Sequence, residues 1–224
     1  SMNPQHHLPA DIERTSLSII TAELDELGLT PPPENAAVVK RVIHTTADFD
    51  YAKNLRFTAG AVAAGIAALR SGTPIVTDTN MALAGITKPG LAKLGGSALC
   101  YMADPEVAQI AKETGTTRAV ASMHRAAAEH PDAILAVGNA PTALLTIADE
   151  IEAGLRPALV IGVPVGFVNV VESKERLFSV CEAHGVPCIA AMGRKGGSTI
   201  AAAICNALVY SAAEMLDPTA RGWK

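Results

Sequence analysis

The chain reads as an α/β protein of three layers: a mainly parallel sheet with helices on both faces, Rossmann-like, preceded by a helical N-terminal segment. Three observations predict it. From residue 74 onward, short apolar runs alternate with longer segments of helical period, the pattern of βαβ units. Runs such as Ala158-Leu159-Val160-Ile161 are apolar throughout instead of alternating, as strands covered on both faces are. The composition is 49% hydrophobic but only 4% aromatic, so 224 residues supply one large core of Ala, Val, Ile and Leu packed between helices and sheet.

Each element follows in order. Residues 11–27 form an amphipathic helix with Ile12, Ser16, Ile19, Ile20, Leu24 and Leu27 near one face, stopped by Gly28 and Pro31-Pro32-Pro33. A second helix, with Val38, Val39, Val42 and Ile43 on one side, runs to His44, and an Ala-rich third covers 53–70. Strands are expected at 74–77, 98–101, 133–137, 158–163 and 188–192. Helices are expected at 105–114, 117–129, 142–152, 173–184 and 198–214. No repeat or low-complexity linker divides the chain, so residues 10–216 read as one domain, with 1–9 and 217–224 as loose termini. The apolar stretches 61–69 and 200–209 are too short to span a bilayer.

Composition also excludes functions. A net charge of -4 with no basic tail or stripe argues against nucleic acid as a partner. The four cysteines form no Cys-x-x-Cys pair and lie near no histidine cluster, so no metal site is expected and reduced thiols point to the cytoplasm. The adjacent His6 and His7 do not make a metal site, and no apolar signal segment follows them. No G-x-G-x-x-G follows the first expected strand, which weakens a Rossmann-type oxidoreductase, and no G-x-S-x-G is present for a serine hydrolase.

Chemistry concentrates after the strands, where ligands of such sheets bind. Gly193-Arg194-Lys195-Gly196-Gly197-Ser198 opens a helix and combines free backbone N–H groups with two cations, an expected anion site. Arg118 begins another helix and has the reach to clamp a carboxylate. His44 sits at the end of its helix, opposite the apolar stripe, where the helix dipole favours the protonated imidazole. That suits a proton donor; a surface histidine capping a helix end is the alternative.

Together, five segments resemble one family. They are Arg41-Val42-Ile43-His44, Gly138-Asn139-Ala140-Pro141-Thr142-Ala143-Leu144, Gly162-Val163-Pro164-Val165-Gly166-Phe167-Val168, Glu172-Ser173-Lys174 and Gly193-Arg194-Lys195-Gly196-Gly197-Ser198. In this order they resemble the precorrin-8X methylmutases, also called cobalt-precorrin-8 methylmutases, of cobalamin biosynthesis. The resemblance implies an isomerase that moves a methyl group from C11 to C12 of a tetrapyrrole, a corrin precursor, without a redox or nucleotide cofactor. It places the family's histidine on His44, as the group that protonates or hydrogen-bonds the ring. It makes Arg118, Arg194 and Lys195 the expected contacts for the ring's carboxylates. Ser16 and the Gly196, Gly197 and Ser198 amides become hydrogen-bond donors, with Met81 and Phe167 against the ring face. It also implies a homodimer. Asp48-Phe49-Asp50-Tyr51 resembles members acting on the cobalt-containing substrate. A corrinoid carrier that holds and hands on the product without catalysis is the alternative function.

Overall fold

The computed structural model describes residues 8–224, so His6 and His7 lie outside the described residues. The described residues form eleven α-helices and one six-stranded sheet. The strands are β1 (Leu55–Phe57), β2 (Ile75–Thr77), β3 (Ala98–Cys100), β4 (Ile134–Val137), β5 (Leu159–Gly162) and β6 (Cys188–Ala191). The helices are α1 (Pro9–Glu26), α2 (Ala36–Thr46), α3 (Tyr51–Asn54), α4 (Ala61–Arg70), α5 (Asn80–Gly85), α6 (Lys88–Lys93), α7 (Pro105–Thr114), α8 (Arg118–Glu129), α9 (Pro141–Glu152), α10 (Val170–His184) and α11 (Ser198–Ala212).

Spatial strand order is β1-β6-β5-β4-β2-β3. All pairs are parallel except β1 with β6, which is antiparallel. The chain reverses direction across the sheet between β2 and β4, the switch point of an α/β sheet. Alternate residues of each strand feed two separate cores. Ile75, Ile134, Leu159, Ile161 and Ile189 pack under α2, α4, α5, α6 and α11. Val76, Leu135, Val137, Val160 and Cys188 pack under α7 to α10. This is the expected three-layer arrangement, with α1 laid on α2 as the helical N-terminal segment.

Local chemistry sets the boundaries. Thr79, Thr87, Asp104 and Thr117 accept backbone N–H bonds at the starts of α5, α6, α7 and α8. Pro9, Pro105 and Pro141 stand at first helical positions.

Three expectations are corrected. The helix expected over 53–70 is interrupted by β1, because Leu55-Arg56-Phe57 completes the sheet edge along β6. The segment between β2 and β3, where no helix is expected, holds α5 and α6. Residues 217–224 are docked, not loose: Pro218–Arg221 forms a 3-10 turn, Arg14 pairs with Asp217 at 2.7 Å, and Ala10 N–H donates to the Lys224 carbonyl at 2.9 Å.

Candidate active site

The side chain with the clearest chemistry, His44, lies in the last turn of α2, which Ala47 closes in a left-handed conformation. Its Nδ1 is 2.7 Å from Ser16 Oγ of α1. Both line a groove of about 560 Å³ whose walls include Ile12, Ile19, Ile20, Ile43 and Phe49. Ile12 and Ile19 are half exposed, so the apolar face expected of the first helix is divided. Ile20 and Leu24 enter the core, and Ile12 and Ile19 wall the groove.

The groove reverses one expectation. Burial pushes the His44 pKa below the ordinary imidazole value, and the nearby Arg41 guanidinium pushes it further down. Both lower it, so the neutral imidazole is favoured near pH 7. A Ser16 hydroxyl that donates to Nδ1 places the ring proton on Nε2. Among the described residues Nε2 has no hydrogen-bond partner.

The segment beyond His44 is held by the loop after β6, the strand that pairs with β1. Lys195 Nζ pairs with Asp48 at 2.6 Å and Asp50 at 2.9 Å, and this holds the Asp48 carboxyl below its usual range. Lys195 is therefore not the free anion contact expected; its charge is spent on two carboxylates of the turn that follows His44. Lys174, fully buried in α10, donates to the carbonyls of Gly193 at 2.7 Å and Lys195 at 2.9 Å. Burial without a carboxylate partner lowers its pKa to about 8. Arg194 stays exposed, its guanidinium 5.1 Å from the centre of the Phe167 ring.

The glycines of this loop serve close approach more than anion capture. A methyl group at Gly196 would lie 2.7 Å from the Pro164 carbonyl oxygen and closer still to that of Val163. Gly197, at φ 130°, spends its N–H on the Val163 carbonyl at 2.8 Å. Ser198 Oγ meets Thr79 Oγ1 at 2.7 Å. Of the three expected amides, only those of Gly196 and Ser198 lack a partner among the described residues.

Asp78 occupies the switch point. Its buried carboxylate accepts N–H bonds from Gly138 at 2.8 Å, Asn139 at 2.9 Å and Ala140 at 2.8 Å, where α9 begins. Burial raises its pKa, while the three donors pull it back. The remaining expected contacts are dispersed. Met81, in the first turn of α5, and Phe167, in the loop after β5, project into solvent at 69% and 79% exposure. Arg118 reaches the Met102 carbonyl at 3.3 Å beside the edge strand β3, on the opposite face of the sheet from α2. A single copy does not bring Arg118 to His44.

The sequence reading missed Asp78 and Glu13, and met Arg41 and Lys174 only inside motifs. Lys174 had a signal: with Val170, Leu177 and Cys181 it falls on one helical stripe, and all four are buried. No group of three or more metal-binding side chains occurs among the described residues. No helix there is long and apolar enough to cross a membrane.

Comparison with known proteins gives a consistent result. A family model described as precorrin-8X methylmutase matches residues 11–211. The cobalt-precorrin-8 methylmutase of Salmonella typhimurium is 46% identical over 209 residues, covering 90% of this chain and 95% of the relative. That of Priestia megaterium is 44% identical over 201 residues, covering 89% and 87%. The solved structure of the precorrin-8X methylmutase from Thermus thermophilus superposes with a TM-score of 0.78 at 40% identity, covering 91% of this chain and 98% of that one.

Proposed function

The chain belongs to the precorrin-8X methylmutase family and is an intramolecular methyl-transferring isomerase of cobalamin biosynthesis, and we propose that His44 is the residue through which it acts. The reaction moves a methyl group from C11 to C12 of a corrin-type ring. Bonds break and form within one molecule, so the protein's task is to bind, orient and polarise the ring. The observation that carries the assignment is the Ser16–His44 pair facing an apolar groove. Ser16 fixes the tautomer, and Nε2–H donates to the conjugated ring. Electron density drawn toward that bond eases migration of the methyl group. The neutral imidazole suits this role, because a donor that keeps its proton needs none returned after the methyl shift.

Ring carboxylates meet Arg194 and the open amides of Gly196 and Ser198, while Phe167 and Met81 cover the ring face. Lys195 acts at one remove, by holding the turn after His44. A groove of about 560 Å³ encloses only part of a macrocycle with carboxylate arms, which supports a homodimer whose second copy closes the site. Arg118 reaches the ring only across such an interface. The relatives in Salmonella typhimurium and Priestia megaterium are both named for cobalt-precorrin-8, which supports the cobalt-containing ring as substrate. Four unpaired thiols support a reducing compartment, the cytoplasm.

The test is a visible absorption spectrum of the protein incubated with cobalt-precorrin-8 and, separately, with metal-free precorrin-8X. Turnover redistributes ring conjugation and changes the spectrum. His44→Ala is expected to bind the substrate but turn over about 10²–10⁴ times more slowly. Unchanged substrate extracted from the wild-type protein would establish the carrier instead. The pH dependence tests the protonation state. For a neutral donor, kcat/KM stays level from pH 8 downward and falls as pH drops through the lowered pKa of His44. A rate that falls as pH rises through that value would make the imidazolium the acid.

A further inference from the structure

Beside the Ser16–His44 pair lies a buried ion triad. Glu13, 4% exposed, accepts from Arg41 at 2.9 Å on one carboxylate oxygen and from Arg221 at 2.5 Å on the other. The Tyr210 ring of α11 lies against both guanidinium groups, 4.4 Å from Arg221 and 5.5 Å from Arg41. Trp223 flanks Arg221 at 5.1 Å. Glu13 precedes Ser16 by one turn of α1, and Arg41 precedes His44 by one turn of α2. The two contacts are successive rungs between the same helices, and each joins residues 28 positions apart.

We propose that Arg221 is a positioning residue of the reaction: through Glu13 and Arg41 it locks α1 against α2 and so holds Ser16 and His44 in register. Arg221 lies beyond residues 11–211, the span the family model matches, so nothing in that match assigns it. Stability alone gives a weak reason for the triad, since apolar side chains of similar volume commonly replace a buried ion triad without loss. Its placement one rung from the imidazole gives a better one.

The triad also sets the charge that His44 feels. Arg41 and Arg221 disfavour the imidazolium, and Glu13 favours it. The other groups near the groove contribute less: Glu23 lies farther along α1, and Asp48 is taken by Lys195. Removing Arg221 therefore moves the His44 titration up, and removing the Glu13 charge moves it down.

The inference rests on His44 as the active donor, and the test separates the two. The His44 titration is followed by NMR without substrate, its signal identified by its loss in His44→Ala. Turnover is measured in parallel. Arg221→Met is expected to raise the His44 pKa and lower kcat on the order of tenfold with KM little changed. Arg221→Lys restores both, and Glu13→Gln shifts the titration in the opposite direction. General loosening would move both variants the same way, up toward the ordinary imidazole value. If Arg221→Met does not fold, a downward shift in Glu13→Gln still supports the coupling. If Glu13→Gln does not fold, the rise in Arg221→Met and its reversal in Arg221→Lys do so. Unmoved titrations, parallel shifts, or an unchanged kcat in Arg221→Met would each overturn it. Opposite shifts alongside a fully active His44→Ala would uphold the coupling and remove His44 from the chemistry.

Discussion

Helices α11 and α1 are of similar length and both are rich in aliphatic residues, but they are used in opposite ways. Of the 15 residues of α11, ten are buried; of the 18 of α1, only four are, one of them the charged Glu13. A helix apolar on all sides must lie inside, and α11 runs under α2, α4 and α5 against the sheet. Helix α1 turns one stripe to α2 and leaves Ile12 and Ile19 about half exposed, as is Leu27 at its C-cap. Apolar residues in the inner helix specify the fold. Those on the outer helix are placed where a ring or a second copy can cover them.

Changes on the two helices should separate accordingly. The largest effect is expected just ahead of α11. Gly196→Ala drives a methyl group into the Val163 and Pro164 carbonyls, backbone that cannot step aside, and should cost roughly 4 kcal/mol in urea unfolding. Within α11, Ile204→Ala empties a fully buried site and should cost about 2–5 kcal/mol by the same measurement. On α1, Ile19→Ser should change stability by no more than about 0.5 kcal/mol. It should nonetheless raise KM for the corrin substrate several-fold, because Ile19 walls the groove of His44. A loss of stability at Ile19 to match Ile204 would erase the distinction between the helices. An unchanged KM would move the binding surface elsewhere.

The same contrast explains what could be read from the sequence. Strands β4, β5 and β6 were legible because every residue in them is buried, so the runs are apolar without interruption. Strand β1 was not, because Leu55-Arg56-Phe57 is three residues of mixed burial between two helices, too short to show a period. His44 stood out from its position, but its protonation did not, since Arg41 and the closing wall of α1 decide it. Lys195 read locally as an anion contact because its acids, Asp48 and Asp50, lie about 150 positions earlier in the chain. Arg221 read as part of a loose end for the same reason, its partner Glu13 being 208 positions away. Backbone periodicity is local information; charge pairing across the fold is not.

The carboxylate of Asp78 has a consequence for what this crevice can bind. In dinucleotide-binding relatives of the architecture, a phosphate sits at the switch point on the amides that open a helix. Here those amides are already filled by an anion covalently attached to the neighbouring strand. A tethered group competes at an effective concentration no free metabolite reaches. The protein is in this sense its own permanent inhibitor at those amides, and the carboxylates of an incoming ligand are left the neighbouring open N–H groups of Gly196 and Ser198.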